Sequence, residues 1–179
     1  MFKHLGVCLA LALAMGATQA KAGLIGDTVS GKYYFPDSSS LYSDQGSQVV
    51  NPNAIFTFPT GAPNVTVNVS DTSILATFDN SGSYTPASFN GYVITDLTQS
   101  LISGLTLVTN VAGMDAGRVS FTGNSVSVNL QGLSMSTDSS ILLNLRVGQS
   151  SVPEPSSLLL GSTGLLMVGL GMLRKRRRA

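Results

Sequence analysis

Between Gly23 and Val147 the apolar residues recur with a period of two, and that alternation restricts the chain to β-structure. Val65-Thr-Val-Asn-Val69 shows it most simply, with three valines on one side of the pleat and Thr66 and Asn68 on the other. The same reading places further strands at 29–35, 54–58, 74–78, 92–97, 105–111, 119–122, 125–130 and 141–147. Short strands punctuated by Gly, Pro, Asn and Ser predict an all-β domain, an antiparallel β-sandwich or jelly-roll-like ectodomain over 23–150. No repeat at 20–50 residues is present, which argues against a solenoid or a propeller. One hairpin is specified in detail. A two-residue turn at Gly123-Asn124 pairs Thr122 with Ser125, Phe121 with Val126, Ser120 with Ser127 and Val119 with Val128. Phe121, Val119, Val126 and Val128 then share a face, which a one-residue slip would split.

The two ends are of another kind. Lys3, an apolar run over 5–14 and the small residues of Ala20-Lys21-Ala22 form a secretory signal peptide over 1–22. Signal peptidase is expected to cut after Ala22, with Ala20 as the alternative. Cys8 precedes most of the apolar run, so it does not sit where a lipidated cysteine would. Cys8 and His4 are the only cysteine and histidine, and both leave with the signal. The exported body must therefore hold together by its core, without a disulfide.

At the other end, Val152-Pro153-Glu154-Pro155-Ser156-Ser157 precedes sixteen uncharged residues, 158–173, and then Arg174, Lys175, Arg176, Arg177 and Arg178. As a helix the run spans about 24 Å, slightly less than a ~30 Å hydrocarbon core, and Ser156 and Ser157 narrow the gap. It has no polar face to suit a soluble core, so a transmembrane helix is expected. The basic cluster keeps the C-terminus cytoplasmic and puts the body outside the inner membrane. Two prolines favour an extended segment that a processing enzyme can bind. Gly161, Gly164, Gly169 and Gly171 make the helix weak and closely approachable.

This tail, 151–179, resembles the PEP-CTERM sorting signal of bacterial exported proteins, also catalogued as the C-terminal domain of ice-binding proteins. The resemblance rests on Pro153-Glu154-Pro155, the segment 158–161 with its glycine, Gly164 and the terminal Arg/Lys cluster. It implies an exosortase as partner, a membrane-embedded transpeptidase that cuts near the motif and releases or transfers the body to the cell surface or extracellular matrix. It also implies an exopolysaccharide or biofilm setting. A second, fainter similarity links 89–97, 109–115, 118–121 and 129–133 to ectodomains that carry this signal; it supports the sandwich and implies no activity.

The chemistry open to the body is narrow. Three basic residues (Lys32, Arg118, Arg146) stand against eight aspartates between Gly23 and Val152, an acidic balance that excludes nucleic acid as a partner. Without His or Cys there is no Ser–His–Asp or Cys–His nucleophile and no His-containing zinc site. Acid catalysis would need two aspartates, and Asp27, Asp37, Asp44, Asp71, Asp79, Asp96, Asp115 and Asp138 fall mostly at expected turns. No enzyme, no catalytic residue, no metal site and no cofactor are expected. Asp37 and Asp44, flanking a Ser-rich loop, are the one weak pointer to calcium. Among Tyr33, Tyr34, Phe35 and Tyr42, alternation turns Tyr33 and Phe35 inward and leaves Tyr34 outward as a possible ligand contact. The sequons at Asn64 and Asn68 follow from the polar face of one strand, with Thr66 and Ser70 beside them. Regular Thr-x-Thr ranks are absent along the chain. These readings converge on an exported, exosortase-sorted surface protein with a structural or adhesive role. A carbohydrate-binding module of the envelope and a permanently tail-anchored protein are the alternatives.

Overall fold

Alternation gives each strand one apolar and one polar edge row, so two sheets can bury their apolar rows against each other. The computed structural model describes residues 23–148 except Ala62 and Ser100. The signal segment 1–22 and the tail 151–179, with its motif, expected membrane helix and basic cluster, lie outside the described residues. One compact unit spans Lys21–Ser150.

The described chain is all-β, and its strands, numbered in chain order, pair antiparallel throughout. One sheet runs β2 (Leu41–Val49), β1 (Thr28–Tyr34), β7 (Gly91–Asp96), β10 (Ser125–Asn129) and β9 (Val119–Phe121). The other runs β3 (Ala54–Phe58), β4 (Val65–Val69), β5 (Ser73–Phe78), β12 (Ser140–Val147) and β8 (Ile102–Thr109). A two-residue ladder joins β6 (Gly82–Ser83) to β11 (Ser134–Met135), and a 3₁₀ turn at Ala116–Arg118 is the single helical element among the described residues. The arrangement is consistent with a β-sandwich. No helix among the described residues is long and apolar enough to cross a membrane.

One cluster of buried side chains draws on both sheets. Val29, Tyr33, Tyr92, Ile94, Val126 and Val128 come from the first, and Phe56, Phe58, Val67, Ile74, Ile141 and Leu143 from the second. The sheets approach closely at Gly31 on the inner row of β1, where a Cβ would meet the Phe56 ring at 2.5 Å. A glycine there lets the ring of one sheet lie on the backbone of the other.

All nine expected strands are present. The hairpin register is the expected one, with Phe121 opposite Val126, Ser120 opposite Ser127 and Val119 opposite Val128. Its turn is made differently from the mirror-image turns of two-residue hairpins, because neither Gly123 nor Asn124 has a positive φ. Thr122 Oγ1 accepts from Ser125 N at 3.1 Å, while the carbonyls of Gly123 and Asn124 accept from Ile102 N and Asp96 N, both at 2.7 Å. β8 begins at Ile102, earlier than expected, since Gly104 opposite Arg146 and Ile102 opposite Val147 continue the ladder past a bulge at Ser103.

The Ser-rich loop expected between Asp37 and Asp44 is a correction. A turn closes at Ser40, and β2 starts at Leu41. Leu41–Val49 has no apolar alternation because it is an edge strand with both faces largely in solvent. It is held by its ladder to β1, by a 3.3 Å Lys32–Asp44 ion pair, and by Gln48. The Gln48 amide donates to Ile55 O at 2.6 Å and accepts from Ile55 N at 3.1 Å, so one side chain occupies a backbone pairing site on β3 and links the two sheet edges.

Replacing Gly31 by Ala forces a methyl into the Phe56 ring. The expected loss is about 1–3 kcal/mol, the range for overpacking a dense core, read as a lower denaturant midpoint at unchanged slope.

Candidate functional site

A cleft opens at the end of the domain where β1 finishes and β7 begins, with about 100 Å³ of space. One wall is aromatic. Tyr33 lies on the inner row of β1, Phe35 follows the strand, and Tyr42 stands on β2. The register explains Tyr42: Tyr33 faces Ser43 and Tyr34 faces Leu41, so Tyr42 is the extra, unpaired residue of a β-bulge. Bulges re-aim side chains. This one sets the Tyr42 ring across Tyr33 (centroids 6.1 Å, planes at 67°) and Phe35 (6.4 Å, 87°), edge-to-face arrangements that suit the ring quadrupoles. Tyr42 is nevertheless 53% exposed.

Thr60 beyond β3, Ser83 of β6, Tyr84 and Thr85 form the facing wall, and buried Asn90 completes the lining. Asn90 is the joint between the walls. Its Oδ1 accepts from the Tyr33 hydroxyl at 2.7 Å, and its Nδ2 donates to Thr85 O at 2.9 Å. The Tyr84 hydroxyl donates to Pro63 O at 2.9 Å, and Thr60 Oγ1 donates to the same carbonyl at 2.6 Å. Ser83 Oγ and Ser134 Oγ share a bond of 2.8 Å. Every lining residue is uncharged. Burial pushes the Tyr33 and Tyr84 phenols far above the ordinary tyrosine range, and the nearby Asp79 carboxylate adds to the effect on Tyr84. Both hydroxyls act as hydrogen-bond donors, to Asn90 Oδ1 and Pro63 O. Tyr92, stacked on Phe58 behind the cleft at 6.3 Å, is raised likewise by burial. Its hydroxyl has no hydrogen-bond partner among the described residues.

Tyr34 follows Tyr33 onto the opposite face of β1, is half-buried, and does not line the cleft. The ring of the 33–42 cluster that stands exposed at the cleft is Tyr42. Tyr42 had no strand pattern around it, and Tyr84, Thr60 and Asn90 are distant in the chain. A cluster of ring residues at 33–42 was the only signal available.

Six of the eight aspartates, spread through the domain, are backbone ties. Asp37 accepts from Ser39 N and Ser40 N, both at 2.9 Å, Asp44 from Gly46 N at 2.8 Å, and Asp115 from Gly117 N at 2.8 Å. These bonds to backbone N–H groups hold the Asp37 and Asp44 carboxyls below the usual range. Asp71 accepts from Ile25 N and Asp79 from Asn64 N, joining distant loops. Asp96 accepts from Thr98 N at 2.8 Å and Gln99 N at 3.2 Å, while the Gln99 amide donates to both oxygens of buried Asp27. The Asp138 carbonyl accepts from Asn110 Nδ2. No group of three or more His, Cys, Asp or Glu able to hold a metal ion occurs among the described residues, and Asp37 and Asp44 are not part of one.

On the outer face of the second sheet the ladder brings Thr57, Thr66, Thr77 and Ser140 into one row across four strands. A parallel row holds Ile55, Asn68, Leu75, Leu142 and Val108. The hydroxyl row is thus cross-strand and single, which linear sequence cannot display. The sequon residues Asn64, Thr66, Asn68 and Ser70 are all half-buried along β4 and its two flanks. The expected sorting residues Val152, Pro153, Glu154, Pro155 and Ser156, the basic tail, and the expected cleavage residues Ala20 and Ala22 lie outside the described residues.

No protein-family model, curated protein or solved structure matches the chain. The reading of the site rests on its own chemistry.

Two tyrosine-to-phenylalanine changes should differ in sign. Tyr33→Phe strands the buried Asn90 Oδ1 and is expected to cost about 1–3 kcal/mol. Tyr92→Phe removes a buried hydroxyl without a partner and should leave stability equal or higher, read in the same urea melts. An alkaline titration followed by tyrosinate absorbance gives a second check. Tyr33, Tyr84 and Tyr92 keep their protons above the unfolded value of about 10, so unfolding releases protons there and stability falls as pH rises. Three of the five phenols should therefore ionise only together with unfolding.

Proposed function

We propose that this chain is an exported, non-catalytic surface protein whose tail is a PEP-CTERM-like signal, and that an exosortase delivers its body to the cell surface or extracellular matrix. Its molecular work there is structural or adhesive, in an exopolysaccharide setting. The body is a β-sandwich of jelly-roll-like build between a cleaved signal peptide and a transmembrane sorting helix.

The observation that carries this reading is the way the body spends its ionisable groups. Six of its aspartates accept backbone N–H bonds that close turns or tie loops, and Asp27 is engaged by Gln99. Groups so engaged serve rigidity rather than proton transfer, which calls for a carboxyl free to change its charge in a cleft. The core supports export as well: it joins both sheets through apolar side chains and needs no disulfide. The tail contributes the address, through Pro153-Glu154-Pro155, the apolar run and the terminal basic cluster.

Intact-mass measurement of the protein from its native host, in membrane, surface and medium fractions, tests the proposal. A species beginning near Gly23 and ending between Val152 and Ser156 is expected, with added mass on the new end where an acceptor has been joined. A sole membrane-bound species retaining 158–179 would overturn the processing reading and leave a permanently tail-anchored protein.

A further inference from the structure

A β-bulge re-aims the side chain it displaces, and bulges recur beside functional sites. The bulge at Tyr42 interrupts the β1–β2 ladder, and the ring it displaces stays 53% exposed beside two other aromatics. Strand continuity alone does not call for that placement, since a regular pairing would satisfy more of the backbone. The cleft that the ring borders is built from the end of the first sheet, the loop after β3 and the segment around β6, and buried hydrogen bonds hold it.

Its polar groups are of one kind. The Tyr42 hydroxyl, the Thr85 hydroxyl and the second N–H of the Asn90 amide have no hydrogen-bond partner among the described residues. Hydroxyls both give and accept, and the amide N–H gives, so the set matches a ligand dense in hydroxyl groups. No cation or carboxylate lines the space. A uronate, sulfate or phosphate would lose its water there without a countercharge. The volume of about 100 Å³ is that of a short cleft, suited to one ring resting against an aromatic face. A polyproline helix calls for successive grooves between aromatic ridges.

We infer that the cleft between Tyr42 and Thr85 binds a neutral hexopyranose residue of a polysaccharide. The C–H face of the sugar packs on the Tyr42 ring, and sugar hydroxyls bond Thr85 Oγ1 and the Asn90 amide. This rests on the proposed role at the cell surface and supplies its adhesive contact: the protein grips neutral matrix sugar through an uncharged site.

The test is affinity electrophoresis of the full chain, kept soluble in a detergent without a sugar headgroup. Gels contain a neutral glucan, galactan or mannan, or alginate as a uronate polymer. Tyrosine fluorescence gives a parallel readout, since the chain has no tryptophan and three of its five tyrosines line the cleft. Retardation is expected in at least one neutral gel and not in alginate. Tyr42→Ala should weaken it about tenfold or more, Tyr42→Phe should largely restore it, and Thr85→Val should weaken it less than Tyr42→Ala does. Unchanged far-ultraviolet circular dichroism of the Tyr42 variants excludes misfolding as the cause. Absence of retardation in every neutral gel overturns the inference, as does equal binding by Tyr42→Ala. Preference for alginate or for an added proline-rich peptide overturns it too, assigning the cleft to another ligand. None of these outcomes alters the masses of the processed protein, so failure here and failure of the sorting proposal are separately visible.

Discussion

The ring of Phe56 from one sheet occupies the place a Cβ on Gly31 of the other would need, so the two inner rows mesh here only because Gly31 has no side chain. A body with no cysteine among its described residues relies on apolar burial, and dense packing needs inner rows that mesh. Phe56 and Phe58 from the second sheet reach into the row of Val29, Gly31 and Tyr33 on the first. The sheet edges are then joined by polar ties rather than by a further strand. Gln48 bridges β2 to β3 through Ile55, and the Gly123 carbonyl takes the Ile102 N–H where β8 begins.

The cleft is an extension of that core. Tyr33 puts its ring in the apolar layer against Phe58 and its hydroxyl on Asn90, so one residue belongs to both. Tyr84 does the same from the other side, packing on Phe78 while its hydroxyl holds the Pro63 carbonyl. Amphipathic rings allow this because an apolar body and a polar tip sit at opposite ends of a rigid group. Tyr42, the ring that a ligand would meet, is supported edge-on by Tyr33 and Phe35.

Legibility in the sequence follows burial. Strands β3 and β4 carry strict alternation since their inner residues are fully covered, and their limits are read directly at 54–58 and 65–69. The β9–β10 register is legible for the same reason, because a slip would move Val126 and Val128 out of the core. β2 is illegible because an edge strand exposed on both faces has no burial to impose a pattern. The turn at Gly123-Asn124 was placed correctly but built otherwise, its carbonyls being taken by Ile102 and Asp96 from elsewhere in the chain.

The residues of this chain specify on their own an antiparallel β-body with its inner and outer rows, since these depend on local periodicity. The cleft is of another order. Tyr33, Tyr42, Thr60, Tyr84 and Asn90 are brought together by a bulge, a bridging amide and the closing of two sheets. Each of those depends on contacts between residues far apart in the chain, which no window of sequence contains. The row of Thr57, Thr66, Thr77 and Ser140 arises likewise, one residue per strand, from pairings that exist only once the ladder has formed.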